Sequence, residues 1–359
     1  MVEHRSGRHI FHVTESLAGG VLRAIETWTR IQVAENFRVT VYYLERADTP
    51  SSKVLRETFH ERVELRSLGK SGSRGFLNLF FKMSALSQLD RPIIHLHSSW
   101  AGLIGRLACI SKHEKTIIYS PHCFAFARRD LPTVVTFLFK KVEQMLSASK
   151  VRILALTSTE KKLAEELGNK NVIQVPNFLE LPPLSDKNVS SGKILVLSVG
   201  RIAEQKRPDR IVEVFDSLKH ETRVDFLWVG DGDKSYKQEL ERRFQVTGWL
   251  KEEEVRRIFF EADIFLLLSD WEALPFTALD AYAHSVPIIS WNFDGCTDFV
   301  VDRHTGYIAK SVPEVVARIQ GLLDNDFERK SLARNARDFV EKNHDLEILK
   351  KGWRAFYGI

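Results

Sequence analysis

Asp263-Ile264-Phe265-Leu266-Leu267-Leu268-Ser269-Asp270-Trp271-Glu272-Ala273-Leu274-Pro275-Phe276-Thr277-Ala278-Leu279-Asp280 joins an apolar run of strand length to a helical segment that continues to His284. A short apolar run bounded by a polar loop suits a strand buried on both faces, and such strands belong to parallel sheets covered by helices. In an open sheet of that kind, ligands sit beyond the carboxyl ends of the strands, where helix N-termini offer unpaired N–H groups suited to phosphate. Glu272 is therefore expected in a loop beside a ligand, with Asp280 about one and a half turns into the next helix. Without further context, the same two acids suit a solvated loop and a helix surface.

Outward from this stretch, short β-rich runs alternate with helix-length segments over almost the whole chain. His9 to Thr14, Arg38 to Leu44, Arg62 to Leu65, Pro92 to His97, Thr116 to Ser120 and Val151 to Leu156 read as strands in the first half. Lys193 to Val199, Asp225 to Val229, Phe244 to Thr247, Ile264 to Leu268 and Pro287 to Ser290 repeat the pattern in the second. This alternation predicts an α/β protein with parallel sheets covered on both faces. A length of 359 residues suits about two domains at roughly 100–200 residues each, so two Rossmann-like halves are expected. Leu181-Pro182-Pro183-Leu184-Ser185-Asp186-Lys187-Asn188-Val189-Ser190-Ser191-Gly192, rich in proline and serine and closed by glycine, is the natural linker. The expected division is a first domain over 1–177, a linker over 178–192, a second domain over 193–340 and a C-terminal helix over 341–359. Trp353, Phe356 and Tyr357 either dock that helix back on the first domain or close the core of the second.

A composition of 44% hydrophobic and 28% charged residues fits a soluble globular protein and excludes collagenous or disordered chains. The net charge of +5 is too small to name a partner, but its distribution is uneven. Residues 1–180 hold 26 Lys and Arg against 17 Asp and Glu, whereas residues 181–359 hold 26 against 30. A basic front half and a mildly acidic back half suggest different partners. The three cysteines, Cys109, Cys123 and Cys296, form no CxxC or zinc pattern, and so sparse a count suits a reducing compartment. Met1-Val2-Glu3-His4-Arg5 leads directly into a strand-like run, and no stretch approaches the ~18 apolar residues of a spanning helix. Neither a secretory leader nor a membrane span is expected, and the location is expected to be cytoplasmic.

A second passage gives the acidic stretch its context. In Val199-Gly200-Arg201-Ile202-Ala203-Glu204-Gln205-Lys206-Arg207-Pro208 a strand ends in glycine, and Arg201 and Lys206 follow in the loop and helix start. Arginine grips a diphosphate bidentately and lysine acts as a point charge. With the acidic stretch, this passage resembles the family 4 retaining glycosyltransferases, whose signature holds two acids separated by seven residues. Other passages are similar to the same family in the same order. They are Glu15-Ser16-Leu17-Ala18-Gly19-Gly20 after the first strand, His95-Leu96-His97-Ser98-Ser99-Trp100, Tyr119-Ser120-Pro121-His122-Cys123-Phe124, and Val175-Pro176-Asn177. Val229-Gly230-Asp231-Gly232-Asp233 and Val246-Thr247-Gly248-Trp249-Leu250 continue the series.

The resemblance implies a GT-B fold, two Rossmann-like domains facing each other across a cleft, with a nucleotide-sugar donor held mainly by the second and the acceptor mainly by the first. It implies that Arg201 and Lys206 neutralise the donor diphosphate and that Glu272 holds sugar hydroxyls. The backbone of Ala273, Leu274, Pro275, Phe276 and Thr277 would contact sugar and phosphate, and Asp280 the ribose. Gly19, Gly20, Gly230 and Leu250 would complete the donor side, His122 would assist transfer, and His97 would face the acceptor. Two positions depart from the pattern: Asp280 stands where the family typically has Glu, and Cys123 where glycine is common, as a small filler or an oxidation liability. The activity implied is transfer of a hexosyl or N-acetylhexosaminyl group, with retention and without metal or cofactor. The donor would be a UDP-sugar, and the acceptor a glycan or polyprenyl-linked glycan in polysaccharide or lipopolysaccharide biosynthesis. A GT-B epimerase or phosphorylase, or a non-catalytic nucleotide-sugar-binding subunit, would share much of this pattern.

Several signals are discounted. Asp231-Gly232-Asp233 looks like a metal-binding DxD but sits in a glycine turn. His95 and His97 are expected on opposite faces of a strand, which would deny them a shared metal. Gly69-Lys70-Ser71 looks like a P-loop, but Glu64 stands where its first glycine is required. Asn188-Val189-Ser190 is a glycosylation sequon only in a secreted chain. Segments 70–83 and 132–145 combine cations with bulky apolar residues, as core helices with solvated lysines do and as an interfacial contact with an anionic membrane would. No nucleic-acid-binding pattern is present.

Overall fold

The computed structural model describes residues 8–109, 116–147, 151–184 and 192–359. Residues 185–191 of the expected linker, with the sequon at Asn188, lie outside the described residues, as do residues 1–7. The chain divides into two compact units, Met1–Phe178 with Leu349–Ile359, and Leu179–Ile348.

In the first unit the strands are β1 (His9–Thr14), β2 (Arg38–Glu45), β3 (Val63–Lys70), β4 (Ile93–His97), β5 (Thr116–Ser120), β6 (Arg152–Ala155) and β7 (Val172–Gln174). They form one parallel sheet in the order β3-β2-β1-β4-β5-β6-β7. Helices α1 (Gly19–Ala34), α2 (Ser52–Thr58), α3 (Ser73–Leu86), α4 (Ser99–Ala108), α5 (Thr133–Leu146) and α6 (Ser158–Glu166) make the crossovers. The second unit repeats the plan with β8 (Ile194–Val199), β9 (Val224–Val229), β10 (Gln245–Val246), β11 (Ile264–Leu267), β12 (Ile288–Trp291) and β13 (Gly306–Ala309). Their order is β10-β9-β8-β11-β12-β13, again parallel. Helices α7 (Pro208–Leu218), α8 (Lys234–Glu241), α9 (Glu252–Glu261), α10 (Phe276–Ala283), α11 (Val312–Asp324) and α12 (Asp326–His344) connect and close it. Both orders are those of the Rossmann fold, in which the strand sequence reverses beside the first strand and opens a crevice there.

Helix α13 (Leu346–Tyr357) carries the last turns into the first unit. Trp353 is buried edge-on against Phe37, and its indole N–H donates to Glu35 at 2.7 Å. Arg354 pairs with the same carboxylate. Tyr357 is buried beside Trp28.

A buried ion pair ties α4 to α5. Arg106 donates to both carboxylate oxygens of Glu143 at 2.8 Å, its guanidinium lies 4.4 Å from the ring centroid of Tyr119, and its Nε donates to the Gly102 carbonyl. Removing one partner of such a pair strands a charge out of water, which costs more than the pair itself contributes. Glu143→Ala should therefore destabilise the protein by about 3–5 kcal/mol, and combining Arg106→Met with Glu143→Leu should recover most of the loss. Denaturant midpoints of the two variants against the parent check this.

Candidate active site

In the second unit the crevice lies between β8 and β11, and the two segments singled out in the sequence flank it. After β8 the backbone passes through Gly200 at φ 144°, a conformation that L side chains rarely adopt. A Cβ at Gly200 would stand 3.1 Å from Cε of Lys206, so the absent side chain is the space across which the lysine lies. Gly230, at the end of β9, closes the turn: a Cβ there would meet the Gly200 carbonyl oxygen at 2.1 Å.

Lys206 ends a short 3₁₀ turn, Glu204–Lys206, and its ammonium donates to Oε1 of Glu272 at 2.6 Å. The side chains are largely shielded, 17% and 11% exposed, which favours a strong pair over a solvent-screened one. Ser269 Oγ donates to the same oxygen at 3.0 Å, which among the described residues leaves Oε2 of Glu272 available. The loops are also stitched through Gln205, whose side chain donates to the Trp271 carbonyl and whose carbonyl accepts from Asp270 N–H. Arg207 and Arg210 both pair with Asp270, fixing the loop that presents Glu272. These supports were not anticipated from the sequence; each belongs to a residue type common on any solvated surface.

The loop then enters α10, whose first turn has no side-chain cap because Pro275 holds the cap position. Among the described residues, the buried Oγ1 of Thr277 has no hydrogen-bond partner. This helix start thus offers the positive end of α10 and the Thr277 hydroxyl to an anion. Leu274 and Phe276 are buried, whereas Ala273, Pro275 and Thr277 are partly exposed. Asp280 is partly exposed on α10, and its backbone carbonyl accepts from His284. Arg201 is exposed after Gly200, and Leu250 is half-buried just before α9. Asp231 accepts from Lys237 and from Gly232 N–H, and Asp233 caps α8 through Ser235 and Tyr236, so both acids of the DxD-like turn serve the local fold.

In the first unit the corresponding crevice lies between β1 and β4. Gly19, at φ 51°, and Gly20 are exposed at the start of α1, which has no side-chain cap. The neighbouring Glu15 is buried and caps α4 by accepting from Trp100 and Ala101 N–H; burial raises its pKa against the pull of those bonds. His95 and His97 do not point to opposite faces. Their ring centroids are 3.9 Å apart, because positions two apart on a strand share a face. His12 of β1 pairs in register with His95, and the ring nitrogens of His12, His95 and His97 include a set within 4.8 Å of one another, a spacing compatible with a metal. His97 does not reach an acceptor surface either: it is fully buried, with Nε2 bonded to His12 and Nδ1 to His122, both at 2.9 Å. His122 is only partly buried and follows β5. It and Cys123 have φ values of 52° and 83°, which explains why glycine suits the second position, and Glu160 steadies the bend by accepting from Cys123 N–H.

A family model described as "Glycosyltransferase Family 4" matches residues 18–181, and one described as "Glycosyl transferases group 1" matches residues 182–339. The chain belongs to the family 4 glycosyltransferases. A Klebsiella pneumoniae protein described as an uncharacterized 41.2 kDa protein in the cps region is 26% identical over 84% of this chain and 85% of its own length. The Escherichia coli UDP-Gal:alpha-D-GlcNAc-diphosphoundecaprenol alpha-1,3-galactosyltransferase is 27% identical over 60% of this chain and 62% of its own length. Among solved structures, Anabaena HepE in complex with UDP and glucose superposes with a TM-score of 0.80 at 15% identity, covering 98% of this chain and all of that one. The fold of this glycosyltransferase is GT-B.

Burial pushes His12 and His122 down to about 4, and His95 and His97 well below the ordinary value, so the four rings are neutral at neutral pH. In the unfolded chain they titrate near 6.5. Unfolding therefore takes up protons, and their stabilising contribution is complete above about pH 6.5 and declines as pH falls toward 4. The denaturant midpoint should already be lower at about pH 5.5 than at about pH 7.5, above the range in which ordinary carboxylates titrate. A constant midpoint over that interval contradicts neutral burial.

Proposed function

We propose that this glycosyltransferase is a retaining, metal-independent enzyme of surface polysaccharide or lipopolysaccharide assembly. It transfers a hexosyl or N-acetylhexosaminyl group from a UDP-sugar to a glycan or polyprenyl-linked acceptor. The observation that carries the reading is the Lys206–Glu272 contact across Gly200, beside the uncapped start of α10.

As the anomeric C–O bond stretches, negative charge grows on the leaving diphosphate. Lys206, Arg201 and the positive N-terminal end of α10 form a fixed positive field for that charge, and a preorganised field of this kind costs no reorganisation during the reaction. Because the chain supplies two cations of its own, a divalent ion is not required for neutralisation. Glu272, held in place by Lys206 and Ser269, serves as an acceptor for sugar hydroxyls through Oε2 rather than as a nucleophile. Attack and departure on one face, with the donor phosphate receiving the acceptor proton, then retain the configuration. Asp280, one methylene shorter than the usual glutamate, takes the ribose. The family resemblance assigns His122 to assist transfer and Gly19, Gly20, Gly230 and Leu250 to donor binding. The UDP-Gal donor of the Escherichia coli relative and the UDP bound to HepE support a uridine donor. The cps region of the Klebsiella pneumoniae relative and the diphosphoundecaprenol acceptor of the Escherichia coli one support the setting.

An amphipathic surface supports work at the inner face of the cytoplasmic membrane. Leu77, Phe80 and Phe81 of α3 and Val134, Phe137, Leu138 and Met145 of α5 are exposed, Phe81 by 66% and Met145 by 79%. Trp100 of α4 packs against Phe76 and Phe139 and so joins the two helices, and Arg74, Lys82, Lys140 and Lys141 lie on the same segments. Apolar side chains interleaved with cations suit insertion into an anionic interface. Among the described residues no helix is long and apolar enough to cross a membrane.

Lys206→Ala and Arg201→Ala should each lower transfer from a UDP-sugar by about 100-fold or more at unchanged melting temperature, with parent activity persisting in EDTA. Near-normal turnover in either variant removes the assigned diphosphate site. Donor conversion without acceptor would indicate an epimerase, dependence on inorganic phosphate a phosphorylase, and binding without any turnover a non-catalytic subunit. For the membrane face, flotation with phosphatidylglycerol vesicles should be lost in a Phe81→Ser, Phe137→Ser double variant and should fail with phosphatidylcholine alone. Equal flotation of parent and variant overturns that assignment.

A further inference from the structure

Four histidines of the first unit, His12, His95, His97 and His122, belong to one continuous hydrogen-bonded line. His122 Nε2 meets His97 Nδ1 at 2.9 Å, His97 Nε2 meets His12 Nδ1 at 2.9 Å, and His12 Nε2 meets Oε1 of Gln32 at 2.8 Å. Gln32 Nε2 in turn donates to the Tyr357 hydroxyl at 2.9 Å, which contacts His95 Nδ1 at 2.6 Å, and His95 Nε2 meets Ser120 Oγ at 2.8 Å. All members except His122 are buried. Each neutral ring has one N–H and one lone pair, so a proton assigned at one end assigns all the others.

The Gln32 carbonyl can only accept, so His12 carries its proton on Nε2 and accepts at Nδ1. His97 must then donate from Nε2 and accept at Nδ1, and His122 must donate from Nε2. Among the described residues nothing hydrogen-bonds His122 Nδ1, and this nitrogen is left with its lone pair. The opposite order, with a proton on His122 Nδ1, satisfies every bond only if the Gln32 amide turns over. Gln32, three side chains behind His122, therefore selects what His122 presents.

We propose that Gln32, His12 and His97 are positioning residues that hold His122 as its Nε2–H tautomer, so that Nδ1 accepts a hydrogen bond from a substrate hydroxyl. Tyr357 completes the arrangement by accepting from the Gln32 amide and donating to His95. The inference rests on the reading of His122 as a histidine at the reacting sugar. The arrangement also uses every ring nitrogen of the three-histidine cluster, so it and a metal at the cluster are mutually exclusive.

The test uses the full-length enzyme with ¹⁵N-labelled histidine. Long-range ¹H–¹⁵N spectra at neutral pH should show His122 with a protonated Nε2 and an unprotonated Nδ1, and Gln32→Leu should move both shifts toward a mixture of tautomers. The same variant should lower kcat by about 10-fold to 100-fold, with the donor KM changed by less than about twofold. Tyr357→Phe, which keeps the helix packed, should give a weaker version of both effects. A parent His122 protonated at Nδ1, His122 shifts unmoved in folded Gln32→Leu, or kcat unmoved once the shifts have changed would each overturn the proposal. So would one molar equivalent of Zn²⁺ shifting the resonances of His12, His95 and His97 and raising the melting temperature. If His122→Ala turns over like the parent, the placement of His122 at the sugar fails, and that outcome is separable because the spectra report the tautomer independently of activity.

Discussion

Parallel strands cannot be joined by tight hairpins, so every connection in these sheets is a crossover, and each sheet grows outward from its first strand in two directions. The reversal leaves one place per sheet where neighbouring crossovers depart to opposite faces. In the second unit that place holds Gly200, Lys206 and Glu272, drawn from segments 66 residues apart in the Lys206–Glu272 contact. In the first, His97 ends β4 beside the reversal, with His12 and His95 buried behind it and His122 one strand further along. The Lys206–Glu272 site is thus a consequence of strand order: side chains in the loops that leave the strands flanking the reversal face a gap that no crossover covers.

Much of this was legible because buried parallel strands are short, apolar and punctuated. Eleven runs read as strands correspond to strands of the structure, with ends shifted by a few residues and by five at β3, where the strand continues to Lys70. Two strands were missed. Val172–Gln174 is only three residues long, and Gly306–Ala309 begins with a glycine that looks like a turn. The Lys206–Glu272 site was legible because its residue types are tied to sequence landmarks, a glycine after one strand and a proline-containing loop after another. The histidine line was not. His12 sits inside a strand among Phe11 and Val13, where an apolar residue is the ordinary expectation, and nothing local says that Gln32 or Tyr357 lies behind it.

Part of the backbone strain also falls at these sites. His122, Cys123 and Arg207 all adopt left-handed backbone without being glycine, each in a loop that leaves a strand toward its crevice. Such conformations cost on the order of 1–3 kcal/mol each and persist only when neighbours determine them. Glu160 holds the first bend through Cys123 and Leu156 N–H, and Asp209 and Asp270 hold Arg207. In both units an acid from a neighbouring segment fixes a loop whose local sequence would prefer another shape.

The return of α13 to the first unit makes that unit discontinuous, with the whole of the second inserted between Phe178 and Leu349. The inserted unit closes on residues contiguous in sequence, whereas the bond from Gln32 to Tyr357 spans 325 positions. Closing a loop of that length is entropically costly and slow, though the cost falls when the intervening chain is already compact. A ribosome delivering this protein therefore releases the second unit able to fold while the first still lacks its last helix. Completion of the first sheet's covering, and of everything that depends on Tyr357, therefore waits until the second unit has been made.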